Sequence, residues 1–241
     1  MFGNGVRFTP ECVATGKGAK KSHHVSSLDR AGIFMARTKA KSTYSVHPSI
    51  VMMQSWVGSL PQKTGRSLDE WIRLVKTEGP SSEPGRRDWL KVNYGLGTNT
   101  AWWIAGRTEG RNLESEDPSA YLIAAEGYVA AMFAGKKAEL RSVYDAILKL
   151  VLGLGRDVKI CPCKTIVPVY RRHVFAQIKP STVSRIDLGL ALEDTPVPDR
   201  LIDTGGLAKK DRITHRIVLS SSVEVDAEVK HWLRFAYDLD A

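Results

Sequence analysis

The sequence predicts an α+β protein, with a small helical N-terminal module followed by a four-stranded, mainly antiparallel sheet packed with helices. Two patterns carry this reading. From Val51 to about Gly110 the apolar residues recur at helical spacing. From Lys159 to Leu192, KICPCKTIVPVYRRHVFAQIKPSTVSRIDLGLAL, β-branched and aromatic residues bounded by turn residues read as three consecutive strands. A chain of 241 residues is long enough to bury a sizeable core, as one large domain or two small ones.

Residues 1–50 are rich in Gly, Ser, Thr, Lys and Ala and show no apolar period. They read as a disordered basic tail, because too little apolar surface is present to offset the ordering of the chain. Met35, followed by ARTKAKS, is a plausible alternative start. His23 and His24 read as solvated tail residues. No sustained apolar core of a secretory signal precedes Lys41, and no apolar run reaches membrane-spanning length, so a cytoplasmic protein without a membrane partner is expected.

The helical module is expected over 51–115. Met52, Met53, Trp56, Val57 and Leu60 suit one helix ended by Pro61. Ser67-Leu68-Asp69-Glu70 has the spacing of a capping box, and Trp71, Ile72, Leu74 and Val75 form the apolar face behind it, up to Gly79-Pro80. A helix opened by Glu83-Pro84 closes at Gly95, and a short one bearing Trp102, Trp103 and Ile104 is capped by Thr98 or Asn99. Five of the six tryptophans fall in this stretch, as a small module needs large side chains to fill its core.

Glu114-Ser115-Glu116-Asp117-Pro118 is an acidic break that sets the boundary of a second domain, 116–241. Helices follow from Pro118 to Gly135 and from about Lys136 to Gly153, then the three strands. The loop from Pro196 to Gly206 precedes a fourth strand, Ile213 to Leu219, and Val225-Asp226 opens a last helix carrying Val229, Trp232, Leu233, Ala236 and Tyr237. The order helix–helix–four strands–helix places helices over one sheet face.

The formal net charge of +9 suggests nucleic acid until it is located. Residues 1–50 hold eight Lys/Arg against Glu11 and Asp29, a net +6, whereas 51–115 carry +2 and 116–241 only +1. The body is nearly neutral. Phosphate-cradling Gly loops, H-E-x-x-H and G-x-S-x-G are absent from the sequence, and no nucleophile is paired with a base at a recognisable spacing. Neither a catalytic residue nor a cofactor is therefore assigned.

What remains is a set of polar residues on the predicted sheet. Lys164, Arg171, Lys179, Arg185, Asp187, Arg212 and His215 are the candidate ligand-binding residues, since Arg and Lys converging on one face suit phosphate or carboxylate. The competing reading is a solvated face with Arg185 and Asp187 in cross-strand ion pairs. Three cysteines make no disulfide framework, and Cys161 and Cys163 stand two apart in a predicted strand, on one face. As an alternative, those thiols with His173 or His215 would hold a soft metal such as zinc. A third reading is an unrecognised enzyme using Asp187, Arg185 and His215.

The run SLDEWIRLVKTEGP…RRDWLKVNYGLGTNTAWWIAGR resembles a short helical domain of unknown function found in bacterial proteins. KAELRSVYDAILKLVLGLGRDVKICPCKTIVPVYRRHVFAQIKP…RIDLGLAL…DRITHRI…VDAEVKHWLRFAY resembles a second uncharacterised bacterial domain that often accompanies the first. The resemblance covers roughly Val51 to Tyr237 and carries no established activity. Its second part also accompanies nuclease and DNA-modification proteins, which implies an auxiliary nucleic-acid or ligand-binding role. The expectation is thus a non-catalytic binding module for an anionic ligand, nucleic acid included.

Overall fold

The structure is a computed structural model and describes residues 42–196 and 198–241. The tail expectation for residues 1–41 lies outside the described residues. Residues 42–50 do not behave as a tail. Tyr44 and Ile50 are buried in the core of the second domain, and Ser45 N–H donates to Ile160 O at 2.8 Å. Tyr144 Oη donates to Tyr44 Oη at 3.2 Å, inside the same core. The boundary drawn at residue 50 is therefore corrected: apolar residues spaced too irregularly to show a period still bury individually.

Helix α1 (Ser49–Gly58) serves both domains, with Ile50 in the larger core and Met53, Trp56 and Val57 packed on the smaller one. Pro61 does not end it. The break falls at Ser59, and Pro61 occupies the first turn of α2 (Leu60–Thr64), where a missing N–H costs nothing. Helix α3 (Leu68–Glu78) begins with the predicted capping box: Ser67 Oγ accepts from Glu70 N–H at 3.3 Å, and Glu70 Oε2 accepts from Ser67 N–H at 2.7 Å. Helix α4 (Glu83–Tyr94) closes on Gly95 at φ +64°, a left-handed position that favours glycine. Helix α5 (Thr98–Thr108) has Gly97, not Thr98 or Asn99, at its N-cap.

Trp71, Val75, Leu90, Ala101, Trp103 and Ile104 form the small core of this module. Trp71 Nε1 donates to Thr64 Oγ1 at 2.8 Å, so the indole is buried without an orphaned donor.

The second domain opens with α6 (Pro118–Met132), where Asp117 Oδ1 accepts from Ala120 N–H at 2.6 Å, and continues with α7 (Leu140–Leu152) after a 3-10 turn at Gly135–Lys137. Among the described residues the sheet has six strands, not four: β1 (Lys159–Ile160), β2 (Val167–Tyr170), β3 (Val174–Lys179), β4 (Ile186–Leu190), β5 (Ile202–Asp203) and β6 (His215–Leu219), in the order β1-β2-β3-β4-β6-β5 and antiparallel throughout. The two extra strands are two-residue edges, too short to leave a period in the sequence. A one-turn helix, α8 (Gly206–Lys209), lies between β5 and β6, and α9 (Ala227–Leu239) ends the fold.

One sheet face, with Val167, Val169, Ala176, Ile178, Leu188 and Ile217, is buried in a single core with α6, α7 and α9. The pairing of β2 with β3 shifts at Val169/Tyr170, leaving Phe175 as the extra residue. Phe175 is consequently buried, edge-on to Tyr237 of α9 at 5.7 Å, although simple alternation puts it opposite Ala176. Among the described residues no helix is long and apolar enough to cross a membrane.

Candidate functional site

The sheet face away from the helices presents Gln177 and Lys179 of β3, Asp187 of β4, and Arg216 and Val218 of β6. Register fixes their neighbours. Lys179, Asp187 and Val218 lie in one row across the sheet; Gln177, Gly189 and Arg216 lie in the next. Gly189 is required there, since a Cβ would come within 2.7 Å of Ile213 Cγ2 and 2.8 Å of Gln177 Cγ.

Asp187 is the hub. Its Oδ2 accepts from Ser181 Oγ at 2.7 Å and from Arg216 Nη1 at 3.2 Å, and its Oδ1 lies 3.3 Å from Arg185 Nε without an aligned hydrogen bond. The carboxylate is 12% exposed, whereas the side chains of Arg185 and Arg216 are 38% and 36% exposed, so their outer edges face solvent. Lys179, itself exposed, stands opposite Asp187 in the register and adds a third cation to this face. Three cations around one anion leave this patch at a formal +2.

A separate cluster forms where the β2–β3 turn meets the end of α9. Asp240 is nearly buried and accepts from Arg172 N–H at 2.9 Å, His173 N–H at 2.7 Å, His173 Nδ1 at 2.9 Å and Arg212 Nη2 at 2.9 Å. Beside it, Asp157 accepts from Tyr237 Oη at 2.6 Å and Arg171 Nε at 2.8 Å. The Tyr237 hydrogen bond, then the Arg171 hydrogen bond, hold the Asp157 carboxyl down to about 2, and the same interaction with Asp157 raises the Tyr237 phenol. Arg171 also stacks over the Tyr237 ring at 4.2 Å and donates to Tyr237 O at 3.1 Å. These groups staple α9 to the sheet.

The seven sequence-derived candidates therefore do not form one site. The structure brings Lys179, Arg185 and Asp187 together. Arg171 and Arg212 belong to the stapling clusters, Arg212 donating also to Val174 O at 3.1 Å. Lys164 sits half-buried in the β1–β2 connection, and His215 is buried with Nδ1 3.0 Å from Thr214 Oγ1. Arg216 completes the patch. Strand parity signals it, because it alternates with His215 and so shares a face with Asp187. Ser181 and Asp240 have no such local signal.

The cysteine pair is also placed differently from the expectation. Cys161 and Cys163 follow β1 rather than lying within a strand, and both side chains are buried. Cys161 Sγ donates to Val46 O at 3.7 Å, and burial pushes its thiol up to about 12, which disfavours the thiolate a metal or redox couple needs. Among the described residues no group of three or more His, Cys, Asp or Glu is placed to hold a metal.

His47, next in the chain to Val46, has Nδ1 2.7 Å from Ser49 Oγ and Nε2 3.1 Å from Tyr170 Oη. Burial lowers its imidazole to about 4 from the usual 6.5. A group lowered in the folded state stabilises fully above its unfolded pKa, and that contribution is lost as pH falls from 6.5 through about 4. His47→Gln should accordingly flatten the acid side of the stability profile by up to one proton, ~1.4 kcal/mol per pH unit. Urea unfolding of both proteins at a series of pH values across this window measures the difference. Parallel profiles would contradict a buried neutral imidazole.

Residues 52–109 match the family described as domain of unknown function (DUF4287), and residues 129–240 match the family described as domain of unknown function (DUF5655). No curated protein matches the chain, and neither does any solved structure. The first match starts within α1 and ends just past α5, while the second starts in α6 and runs through the whole sheet to Asp240. The chain therefore belongs to an uncharacterised two-domain family, in which a DUF4287 domain precedes a DUF5655 domain.

Proposed function

We propose that the second domain is a binding module for an anionic, phosphate-bearing ligand, held on the outer sheet face by Lys179, Arg185 and Arg216. The observation that supports it is the +2 patch around Asp187, where Lys179, Arg185 and Arg216 share one sheet face with a single carboxylate. Asp187 orients both guanidinium groups: Arg216 spends Nη1 on it, and Arg185 approaches through Nε. The remaining N–H edges suit the planar, bidentate grip that arginine makes on phosphate. Nucleic-acid phosphates are one source of that group. The buried, protonated Cys161 thiol is in keeping with a reducing, cytoplasmic setting.

The test compares the full chain with its Lys179→Gln/Arg185→Gln/Arg216→Gln variant. The probe is a fluorescein-labelled single-stranded oligonucleotide at low salt, with pyrophosphate as competitor. The basic residues before Ser42 are common to both proteins and cancel in the comparison. The variant should bind at least about tenfold more weakly, and its log-affinity against log-salt slope should fall by roughly 0.7 for each phosphate left unneutralised. Equal affinity and equal slope would remove the sheet face as the site. Pyrophosphate binding in isothermal titration calorimetry that the triple variant loses, with no oligonucleotide binding, would assign the face to a small phosphate ligand.

A further inference from the structure

A second feature lies between α9 and the connection from β4 to β6, a cleft of about 90 Å³ lined by Ala191, Glu193, Leu207, Asp211, Ala236 and Leu239. Arg212 and Asp240 also face it, but they neutralise each other at 2.9 Å. Glu193 and Asp211 are left as its unpaired charges among the described residues. Asp211 uses only Oδ1, which accepts from Ile213 N–H at 3.2 Å. Lys210, next in the chain, is not part of the lining, and Lys209 Nζ donates to Thr204 O at 2.8 Å.

The lips of the cleft are apolar and open, with Leu207 52% and Leu239 44% exposed. Along α9, Phe235 and His231 precede Leu239 by one and two turns, which places all three on one stripe. Trp232 joins them, its ring 5.0 Å from His231 and 5.7 Å from Phe235. An aromatic ridge thus leads to a small hole with a carboxylate rim.

Volume and charge select the occupant. Cofactor and small-molecule pockets run to roughly 300–1,000 Å³, so this cleft is the size of one side chain. Apolar lips together with two uncompensated carboxylates match a long aliphatic stem with a cationic head, and aromatic faces attract the same head. We propose that the cleft docks a lysine-bearing peptide segment of a partner protein, with the lysine stem between Leu207 and Leu239 and its ammonium group at Glu193 and Asp211. This site is independent of the anion-binding face.

Fluorescence anisotropy with the full chain tests it. The probe is a fluorescein-labelled peptide, Gly-Ala-Leu-Lys-Leu-Ala-Gly, and the control carries Glu in place of Lys. Saturable binding of the Lys peptide is expected, with the Glu peptide weaker by at least about tenfold. Glu193→Gln/Asp211→Asn should lose about tenfold in affinity with an unchanged thermal midpoint, since Asn keeps an oxygen for Ile213 N–H. The Lys179→Gln/Arg185→Gln/Arg216→Gln variant should bind the peptide as the parent does, which separates this site from the anion-binding face. Lack of saturation up to about 1 mM overturns the proposal. Equal binding by the carboxylate variant or by the Glu peptide does the same. A dimeric mass in light scattering that the carboxylate variant abolishes would instead assign the cleft to a second copy of this chain.

Discussion

Trp71→Ala should unfold the helical module while leaving the sheet domain folded. Trp71 is 1% exposed and central to a core of few residues, ringed by Tyr94 at 5.1 Å and covered by the Arg66 guanidinium at 5.0 Å. Removing a buried indole costs about 3–5 kcal/mol, reduced burial and residual cavity together. At ~0.05–0.15 kcal/mol per residue, a module of about sixty residues holds only roughly 3–9 kcal/mol in all. The two domains keep separate cores, so the loss should appear as a distinct low-temperature transition rather than a shift of the whole curve. Differential scanning calorimetry with near-UV circular dichroism reads both events. A single transition displaced by less than about 4 °C would show that the two cores melt as one and that Trp71 contributes little.

Tyr44→Ala should destabilise the second domain by about 2–4 kcal/mol, an aromatic side chain removed from a core that can close over the gap only partly. Tyr44 is 7% exposed, and it accepts the hydrogen bond of Tyr144, whose phenol burial holds well above its ordinary range. Ala at position 44 leaves that buried hydroxyl without its acceptor. Tyr44→Phe separates the two contributions and should cost only about 1 kcal/mol, the hydrogen bond without the cavity. The larger effect contradicts a tail reading of residues 42–50 directly. Urea midpoints of the two variants decide it: if Ala and Phe are both neutral, the segment does not contribute to stability in solution.

How much of this was legible beforehand depended on whether a feature was local. The capping box at Ser67 and Glu70, the stop at Gly95 and the start at Asp117-Pro118 are decided within four residues, and each is found where the sequence places it. The alternation of Ile186, Leu188 and Leu190 survives because β4 is buried on one face with a regular register on both sides. Alternation failed at Phe175, where a bulge paired with β2 changes the parity, and no residue in β3 announces it. The cysteine pair was misplaced for a similar reason: C-x-C has strand spacing, but β1 ends at Ile160.

The candidate site was legible by residue type and not by address. Arg, Lys and Asp on strands announced a polar face, with candidates spread from Lys164 to His215. The sequence alone determined the α+β class, the order of the two domains and the span of α3 and α4 in the first, because periodicity and caps act over one or two turns. Only the tertiary structure decided which cations remain available. Asp240, Asp157 and the carbonyl of Val174 lie 14 to 80 residues from the side chains they engage, and they take Arg212 and Arg171 into the α9 staple. Asp187 instead gathers Arg185 from its own strand end and Arg216 from β6. Likewise, Tyr44 became core only when Tyr144, a hundred residues away, was brought against it. Charge pairing and burial depend on distance in space, and chain separation hides that distance until the sheet and α9 are assembled.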